Sequence, residues 1–432
     1  MRFRRMVRGT DRGYRMKHKF KFAPAVGILA LLLFFFGLSG QERTLAIKAG
    51  TIHTITKGII EKGIILVQGD LISEIGTEIE VPPEAEIFDF SDKFIMPGVV
   101  SPDSNLGMPQ PPMEELLEAV RSGPTVHNLA YYPVLYSIYP EHPDYSLALM
   151  NGFTAIAVSP LPAGIAGLGA VIRPGKKTLK DILIKDKAFL KINVSVNTPF
   201  WSMMKGALEE AQKKIEEEKK KAEEEKQKSE KDKKKDEDEK KQEELEEEER
   251  ISESTKIFME VIEGKLPLLA ECSTPDALSH LMALISAYQK ARVIVRGGPD
   301  VYKAGSLLKE KNISIILGPI IGSAQVMYER IERTNFVLKC QGLGLKIAFQ
   351  APGGIDDQIH LFDYLNKLFL YGVKEDVLLK GVTIVPAEIL GIDKFLGSLE
   401  KGKRADLIVF KDDPLKNIPV IEKVMSGGKF VR

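Results

Sequence analysis

The chain has few of the residues and patterns on which common enzyme classes depend. Its 432 residues include only two cysteines, Cys272 and Cys340, so at most one disulfide can form. The sequence leaves a disulfide and two separate core thiols equally open. It contains no Gly-x-Ser-x-Gly elbow, and the glycine-rich residues 164–169 fit neither a dinucleotide fingerprint nor a phosphate loop. These absences remove the sequence signals for an elbow-type serine hydrolase and for nucleotide binding.

Histidine is also scarce. No two histidines are two or four residues apart, which are the spacings that place a pair of metal ligands on one face of a strand or helix. None follows a strand-like run at the position of a barrel mouth. We therefore expect ordinary surface or core roles for all six, which are His18, His53, His127, His142, His280 and His360.

Positive and negative charges nearly balance, because the formal net charge is +1. A global field that attracts nucleic acid is therefore excluded, and we expect no nucleic-acid partner. Hydrophobic residues make up 44% of the chain, which is enough for a large core and predicts two or three structural units.

The N-terminus has the pattern of an export signal. A basic stretch precedes an apolar run at residues 25–38, and small residues lie at its end, at Gly37 and Ser39. The run is shorter than the roughly 20 residues that a membrane-spanning helix needs. We predict that residues 1–40 direct export to the periplasm or the extracellular space. An uncleaved N-terminal anchor is the alternative, and it would be the only membrane contact.

Strand-like segments lie at both ends of the mature chain. In residues 41–95 and 383–432, β-branched residues alternate with polar ones, and Gly or Pro recurs between short runs. We predict that these two segments form one small composite β-sandwich domain, with the rest of the chain inserted between them.

The middle of the chain, residues 96–382, alternates short apolar runs with helical patterns. Thr274-Pro275 is a typical helix start, with a capping hydroxyl and Pro at the first helical position. Parallel strands alternating with helices predict an α/β fold. The length, without the charged insertion, fits a (β/α)₈ TIM-like barrel of about 250 residues.

A charged insertion interrupts the middle segment at residues 205–255, and its core at 209–250 consists mainly of Lys, Glu and Asp. It lacks the sustained apolar seam of a coiled coil. Glu and Lys three or four residues apart are typical of a solvated helix. A solvated helix, a disordered excursion and an interaction arm all remain open.

Three pieces of the chain are similar to the amidohydrolase superfamily, in its exported, imidazolonepropionase-like branch. The entry piece runs from Ile-Lys-Ala-Gly-Thr-Ile at residues 47–52 to Met-Pro-Gly at 96–98. The exit piece comprises residues 381–391 and Gly-Lys-Arg-Ala-Asp-Leu at 402–407. Residues 163–171 are similar to a glycine-rich stretch of exported members. The resemblance covers about residues 44–432 apart from the insertion.

The resemblance implies a metal site at the barrel mouth, but the ligands are missing. Members of the superfamily carry His-x-His at the end of strand 1, histidines on strands 5 and 6, and an Asp on strand 8. The metal activates a water and polarises the scissile carbonyl. At the matching positions this chain has Asp103 and Asn105, then Glu271, Gly297 and Ala351.

Three functions are consistent with this pattern. The first is a non-catalytic homologue that binds a small-molecule ligand in the old pocket or pairs with an active amidohydrolase. The second is a hydrolase acting on carbon–nitrogen bonds other than peptide bonds, through an atypical metal site or none, with Asp103 and Glu271 as acid and base. The third is a scaffold that acts through residues 209–250.

We expect no cofactor for the first function and a divalent metal such as Zn for the second. Oxygen atoms of Asp103, Asn105 and Glu271 are a further alternative, as weak ligands for Ca²⁺ or Mg²⁺. By resemblance alone, a homo-oligomer is expected.

Overall fold

The structure, a computed structural model, describes residues 43–109, 114, 127–161, 164–194, 198–229, 252–272, 274–318, 326–350 and 360–432. The predicted export segment at residues 1–40 lies outside these ranges, as do residues 230–251 of the charged insertion. Among the described residues, no helix is both long enough and apolar enough to span a membrane.

Seven strands from the two ends of the chain form one sheet, which confirms the predicted composite β domain. Its strands follow the order β16-β15-β14-β4-β1-β2-β3. They are β1 (Thr44–His53), β2 (Ile59–Gln68), β3 (Leu71–Gly76), β4 (Glu86–Pro97), β14 (Leu407–Phe410), β15 (Ile421–Ser426) and β16 (Lys429–Phe430). Strand β14 pairs antiparallel with β4, so the C-terminal segment is joined to the N-terminal one by backbone hydrogen bonds.

The apolar side chains of this sheet form a core of their own. Alternate residues of β1, including Leu45 and Ile47, are buried together with Leu407 and Val409 of β14. Alternation places these side chains on one face of the sheet, because successive residues of a strand point in opposite directions. The other face of β14 is buried as well, because Ile408 and Phe410 belong to the larger core that includes the barrel strands.

Eight further strands make a nearly closed barrel, which confirms the second part of the fold prediction. They follow the order β13-β12-β11-β10-β9-β8-β7-β5. The strands are β5 (Val99–Ser104), β7 (Phe153–Val158), β8 (Gly164–Ile172), β9 (Leu183–Asn193), β10 (Leu268–Cys272), β11 (Val293–Gly297), β12 (Ser314–Leu317) and β13 (Ile347–Phe349). A two-residue strand, β6 (His127–Asn128), pairs with β8.

One strand of the barrel runs against its neighbours. Strand β8 pairs antiparallel with both β7 and β9, whereas the other pairs of the path are parallel. Only residues 159–163 separate β7 from β8. A connection this short cannot cross back over the sheet, because a parallel crossover needs a dozen or more residues. The barrel is therefore parallel everywhere along this path except at β8.

The chain at residues 381–382, between the last two helices, lies beside both the first and the last barrel strands. The amide of Val100 on β5 donates a hydrogen bond to the carbonyl of Val382 at 2.9 Å. On the other side, a Cβ at Gly381 would lie 2.5 Å from the ring of Phe349 and 2.9 Å from the carbonyl of Ile347 on β13. The absence of a side chain at residue 381 therefore lets this segment lie close against the edge strand.

The helices surround the barrel. Longer helices pack the outer surface, and short ones connect strands. They are α1 (Pro143–Met150), α2 (Leu179–Ile182), α3 (Thr198–Ser229), α4 (Glu253–Ile262), α5 (Pro275–Ile285), α6 (Gly305–Glu310), α7 (Val326–Leu343), α8 (Leu361–Leu370), α9 (Glu375–Gly381) and α10 (Ile384–Leu390). Thr274 caps α5 through its hydroxyl, as its sequence predicts.

The charged insertion begins as an extension of helix α3. Apolar side chains recur along its first half at helical spacing and are buried, which makes this half part of the barrel wall. These side chains are Phe200, Met204, Leu208, Ala211 and Ile215. Beyond Ile215 the described side chains are mostly exposed. The predicted insertion from residue 205 therefore overlaps a core-packing helix, and the solvated part starts about ten residues later.

The two thiols are buried and are not joined to each other, so the disulfide left open by the sequence does not form. Burial raises the pKa of both Cys272 and Cys340 to about 12. Both behave as small apolar core side chains.

Candidate functional site

Four charged side chains from four different barrel strands meet at one end of the barrel. They are Asp103 on β5, Lys191 on β9, Glu271 on β10 and Arg296 on β11. We call them the charged quartet. Each lies at or near the carboxyl end of its strand, where the sites of TIM barrels are found. In the β10–β11 register Glu271 is directly opposite Arg296, which brings their side chains to the same face.

Each cation of the charged quartet contacts both carboxylates. The Lys191 ammonium lies 2.9 Å from Asp103 Oδ2 and 3.4 Å from Glu271 Oε2. The Arg296 guanidinium nitrogen NH1 lies 2.8 Å from Glu271 Oε2 and 3.2 Å from Asp103 Oδ2. Two positive and two negative charges thus form a closed ring of four contacts.

Burial differs across the charged quartet. The Asp103 and Lys191 side chains are 1% and 2% exposed, whereas those of Arg296 and Glu271 are 21% and 40% exposed. A buried lysine or aspartate is found almost only with a partner of opposite charge. The Asp103–Lys191 pair is therefore the internal half of the ring, and Arg296 with Glu271 is the half that faces solvent.

The carboxylate of Asp103 is held as an anion. Burial by itself would raise the pKa of Asp103, but the adjacent charges of Lys191 and Arg296 outweigh it. The Ser159 hydroxyl also donates a hydrogen bond to Asp103 Oδ1. The pKa of Asp103 is consequently below its ordinary value, and both carboxylate oxygens already accept from donors.

A polar cavity of about 240 Å³ opens beside the charged quartet. Apart from Pro160 and Leu161, its wall is polar or charged. The wall is formed by Asp103, Ser104, Asn105, Ser159, Pro160, Leu161, Lys191, Asn193, Glu271, Arg296 and Gln350. The volume is below the range of about 300–1,000 Å³ that is typical of sites for drug-sized ligands. The cavity therefore suits a small hydrophilic molecule.

One wall residue has an unused hydrogen-bonding atom. The Gln350 side chain is 3% exposed, and its amide oxygen has no hydrogen-bond partner among the described residues. A Cβ at Gly318 would lie 2.1 Å from this oxygen, so only glycine lets the amide lie there. Buried polar atoms usually have a partner, so this atom marks hydrogen-bonding capacity that the described residues do not use.

The structure brings together the three site residues predicted from sequence. Asp103, Asn105 and Glu271 all line the cavity. Gly297 ends β11 next to Arg296 and carries no side chain, and Ala351 lies outside the described residues. The placement agrees with the prediction of a shared site, whereas a catalytic role for these residues stays a prediction.

Sequence reasoning missed the two cations of the charged quartet. Lys191 interrupts the apolar run of β9, in which residues 188–192 are all buried. A lysine inside such a run signals a buried partner, because burying an unpaired ammonium is costly. Arg296 directly precedes Gly297 in the sequence. Its in-register position beside Glu271 becomes visible only when the strands are paired.

The resemblance to amidohydrolases implies a divalent metal in this region, but these residues do not fit one. Both oxygens of Asp103 and one oxygen of Glu271 are already bound to cationic or hydroxyl donors. Zinc prefers nitrogen and sulfur ligands, and the described residues of the cavity wall include no His or Cys. Nor do the described residues contain any group of three or more His, Cys, Asp or Glu side chains that could hold a metal.

The histidines that the structure describes lie away from the cavity. The buried His53 ring lies 3.7 Å from the carboxylate of Glu375. His142 caps α1, His280 packs edge-on against Trp201, and His360 contacts an aspartate on α8. None of these histidines lines the cavity wall.

Comparison with known proteins is informative about the family and the fold. Residues 367–431 match the model described as the amidohydrolase family. The chain is similar to the crystal structure of an amidohydrolase from Thermotoga maritima MSB8, with 24% identity and a TM-score of 0.70. That match covers 90% of this chain and 99% of the other. No curated protein matches the chain.

More distant solved structures share the same fold. A prolidase complexed with N-methylphosphonate-L-proline has 16% identity and a TM-score of 0.55, over 90% of this chain and 99% of the other. A molinate hydrolase has 15% identity and a TM-score of 0.55, over 90% of this chain and 95% of the other. At these identities the likeness establishes the barrel and its β domain, and function has to be argued from the site.

Proposed function

We propose that this chain, a member of the amidohydrolase superfamily, is a non-catalytic homologue that binds a small polar ligand in the cavity beside the charged quartet. Residues 1–40 are proposed to direct it out of the cytoplasm. The observation that carries the proposal is the state of Asp103. Its Oδ1 accepts a hydrogen bond from Ser159, and its Oδ2 accepts one from Lys191 and lies 3.2 Å from the Arg296 guanidinium, so two positive charges beside this carboxylate oppose proton uptake and metal binding.

This arrangement disfavours the alternative of a hydrolase for carbon–nitrogen bonds. A general base works best when its pKa lies near the operating pH. The pKa of Asp103 is instead held below its ordinary value by the neighbouring cations. A metal-bound water would require ligands at the matching positions, where the chain has Asn105 and Gly297 and where the carboxylate oxygens are largely occupied.

The cavity wall indicates the chemistry of the ligand. Its charges cancel, because two cations face two carboxylates. Neutral hydrogen-bonding groups come from Asn105, Asn193 and Gln350, and an exposed carboxylate comes from Glu271. Such a wall favours an uncharged molecule with several hydroxyl or amide groups over a strongly charged one.

A thermal-shift experiment tests ligand binding. The purified chain is mixed separately with sugars, polyols, hydroxy acids and small amides. A ligand present at about 100 times its Kd stabilises the fold by about 2.7 kcal/mol. Unfolding of the unit Thr44–Arg432 carries an entropy of about 0.8 kcal/mol/K, so Tm should rise by about 3 °C.

Two matched variants locate the binding. Asn105→Trp would fill the cavity and should abolish the shift. Asn417 lies in a separate surface groove between α8 and the chain near Ile418, so Asn417→Trp should leave the shift intact. The same samples are assayed with cyclic amides and dipeptides. Hydrolysis that disappears in Asp103→Ala or Glu271→Ala would overturn the proposal in favour of the hydrolase.

A further inference from the structure

The contacts of the charged quartet resemble those of a bridging metal ion in one respect. A divalent cation between two carboxylates contacts an oxygen of each. Here Lys191 contacts Asp103 Oδ2 and Glu271 Oε2, and Arg296 contacts the same two atoms. The four side chains come from β5, β9, β10 and β11, so the ring ties together four strands at the carboxyl end of the barrel.

The charge balance of the ring is already complete without an added ion. Two carboxylates are neutralised by one ammonium and one guanidinium, at distances of 2.8–3.4 Å. A divalent ion placed between the same oxygens would lie within a few ångströms of two fixed positive charges. Repulsion at such distances in a buried site is strong, because the effective dielectric constant is far below that of water.

We propose that Lys191 and Arg296 take the place of a divalent cation in this barrel, holding Asp103 and Glu271 together as a built-in cationic cross-link. The two carboxylates would then form a potential cation site that the two positive side chains already occupy. This inference is independent of the cavity ligand, because it concerns what holds the strands and not what the cavity binds.

The test removes one positive charge and asks whether a metal ion can replace it. Lys191→Met keeps a side chain of similar length and leaves both carboxylates in place. The wild-type protein should show the same Tm in EDTA and in millimolar Ca²⁺, Mn²⁺ or Zn²⁺. Lys191→Met should have a lower Tm in EDTA, and at least one of these ions should restore most of the loss.

Lys185→Met is the matched control. Lys185 lies on the same strand, β9, but its ammonium donates to the backbone carbonyl of Leu390 at 2.8 Å and not to a carboxylate. Its removal uncovers no anion, so divalent ions should not restore stability. A second control, the double variant Asp103→Asn/Lys191→Met, removes the buried carboxylate and should lose the metal response of the single variant.

Arg296→Gln keeps the test decisive if Lys191→Met does not fold. Arg296 is the more exposed cation, so this variant perturbs the core less, and it should show a smaller response to the same ions. Two results would overturn the inference. One is tight, stoichiometric divalent metal in the wild-type protein by elemental mass spectrometry. The other is a folded Lys191→Met or Arg296→Gln variant whose Tm is indifferent to all three ions.

Discussion

Replacing Lys191 by methionine should destabilise the protein strongly, because it leaves a buried carboxylate with fewer partners. Asp103 is 1% exposed, and its ammonium partner lies 2.9 Å away. Removing one member of a buried ion pair costs about 3–5 kcal/mol, since the other charge stays buried. With an unfolding entropy of about 0.8 kcal/mol/K for Thr44–Arg432, Tm should fall by about 4–6 °C.

A double-mutant cycle separates this cost from the loss of packing. Asp103→Asn/Lys191→Met removes both charges and keeps the volumes similar, so it should be more stable than Lys191→Met alone. Contacting residues of this kind show interaction energies of about 0.5–3 kcal/mol. The measurement is thermal and urea unfolding in EDTA, followed by circular dichroism and by the fluorescence of Trp201, which is the single tryptophan of the chain.

The comparison with Lys185→Met decides the outcome. Lys185 is only partly buried and bonds a neutral carbonyl, so its loss should cost about 1 kcal/mol, as for an ordinary hydrogen bond. If Lys191→Met costs no more than Lys185→Met, or if the double variant is no more stable than Lys191→Met, the buried ion pair does not have the energetic role assigned to it.

Three further predictions concern groups outside the cavity. Burial lowers the pKa of His53, so the folded state favours its neutral form. The free energy of unfolding should therefore be highest above pH 6.5 and should fall as the pH drops below 6.5. In urea unfolding, His53→Gln should show a weaker pH dependence than the wild-type protein. A hydrogen bond from Ser398 is the largest of several contacts that lower the pKa of Glu400 to about 2. The free energy of unfolding should therefore fall as the pH drops from about 4.5 to about 2, and Glu400→Gln should show a smaller fall over this range. With thiol pKa values of about 12, Cys272 and Cys340 should not react with a thiol reagent at pH 8 until denaturant is added; rapid labelling of the native protein would contradict their buried positions.

The fold could be predicted from local patterns because each part of it has a local cause. Alternating β-branched and polar residues mark β1 and β2, and the segments at the two ends of the chain carry the same signal. Strand β7 is buried at every position and therefore is a continuous apolar run in the sequence, as expected for a strand covered on both faces. These signals need no knowledge of strand order.

Features that depend on strand pairing were missed. The antiparallel direction of β8 is not encoded in its own residues but in the short connection at residues 159–163. The apolar residues along the first half of α3 are sparse among charged ones, so the sequence alone does not show where the core-packing part of this helix ends. Their spacing up to Ile215 becomes meaningful only when the helix lies against the barrel.

The candidate site shows the same division. Asp103, Asn105 and Glu271 could be found because the resemblance to amidohydrolases supplied their positions. At these positions the superfamily carries metal ligands that this chain lacks. Lys191 and Arg296 lie at positions for which the expected ligand set offered no role. Their importance follows from distances between strands that are far apart in sequence, such as the 3.2 Å between Arg296 and Asp103.

The charges of the quartet constrain one another. A buried carboxylate at residue 103 is tolerated only with a cation nearby, and a buried ammonium at residue 191 is tolerated only with an anion nearby. Introducing histidines at residues 103 and 105 alone would therefore not create a metal site, because Lys191 would lose its nearest anion and would still repel the metal. A designed histidine metal centre in this barrel would also need the positive charge at residue 191 removed, so the cations of the charged quartet are a barrier to metal binding in addition to the missing histidines.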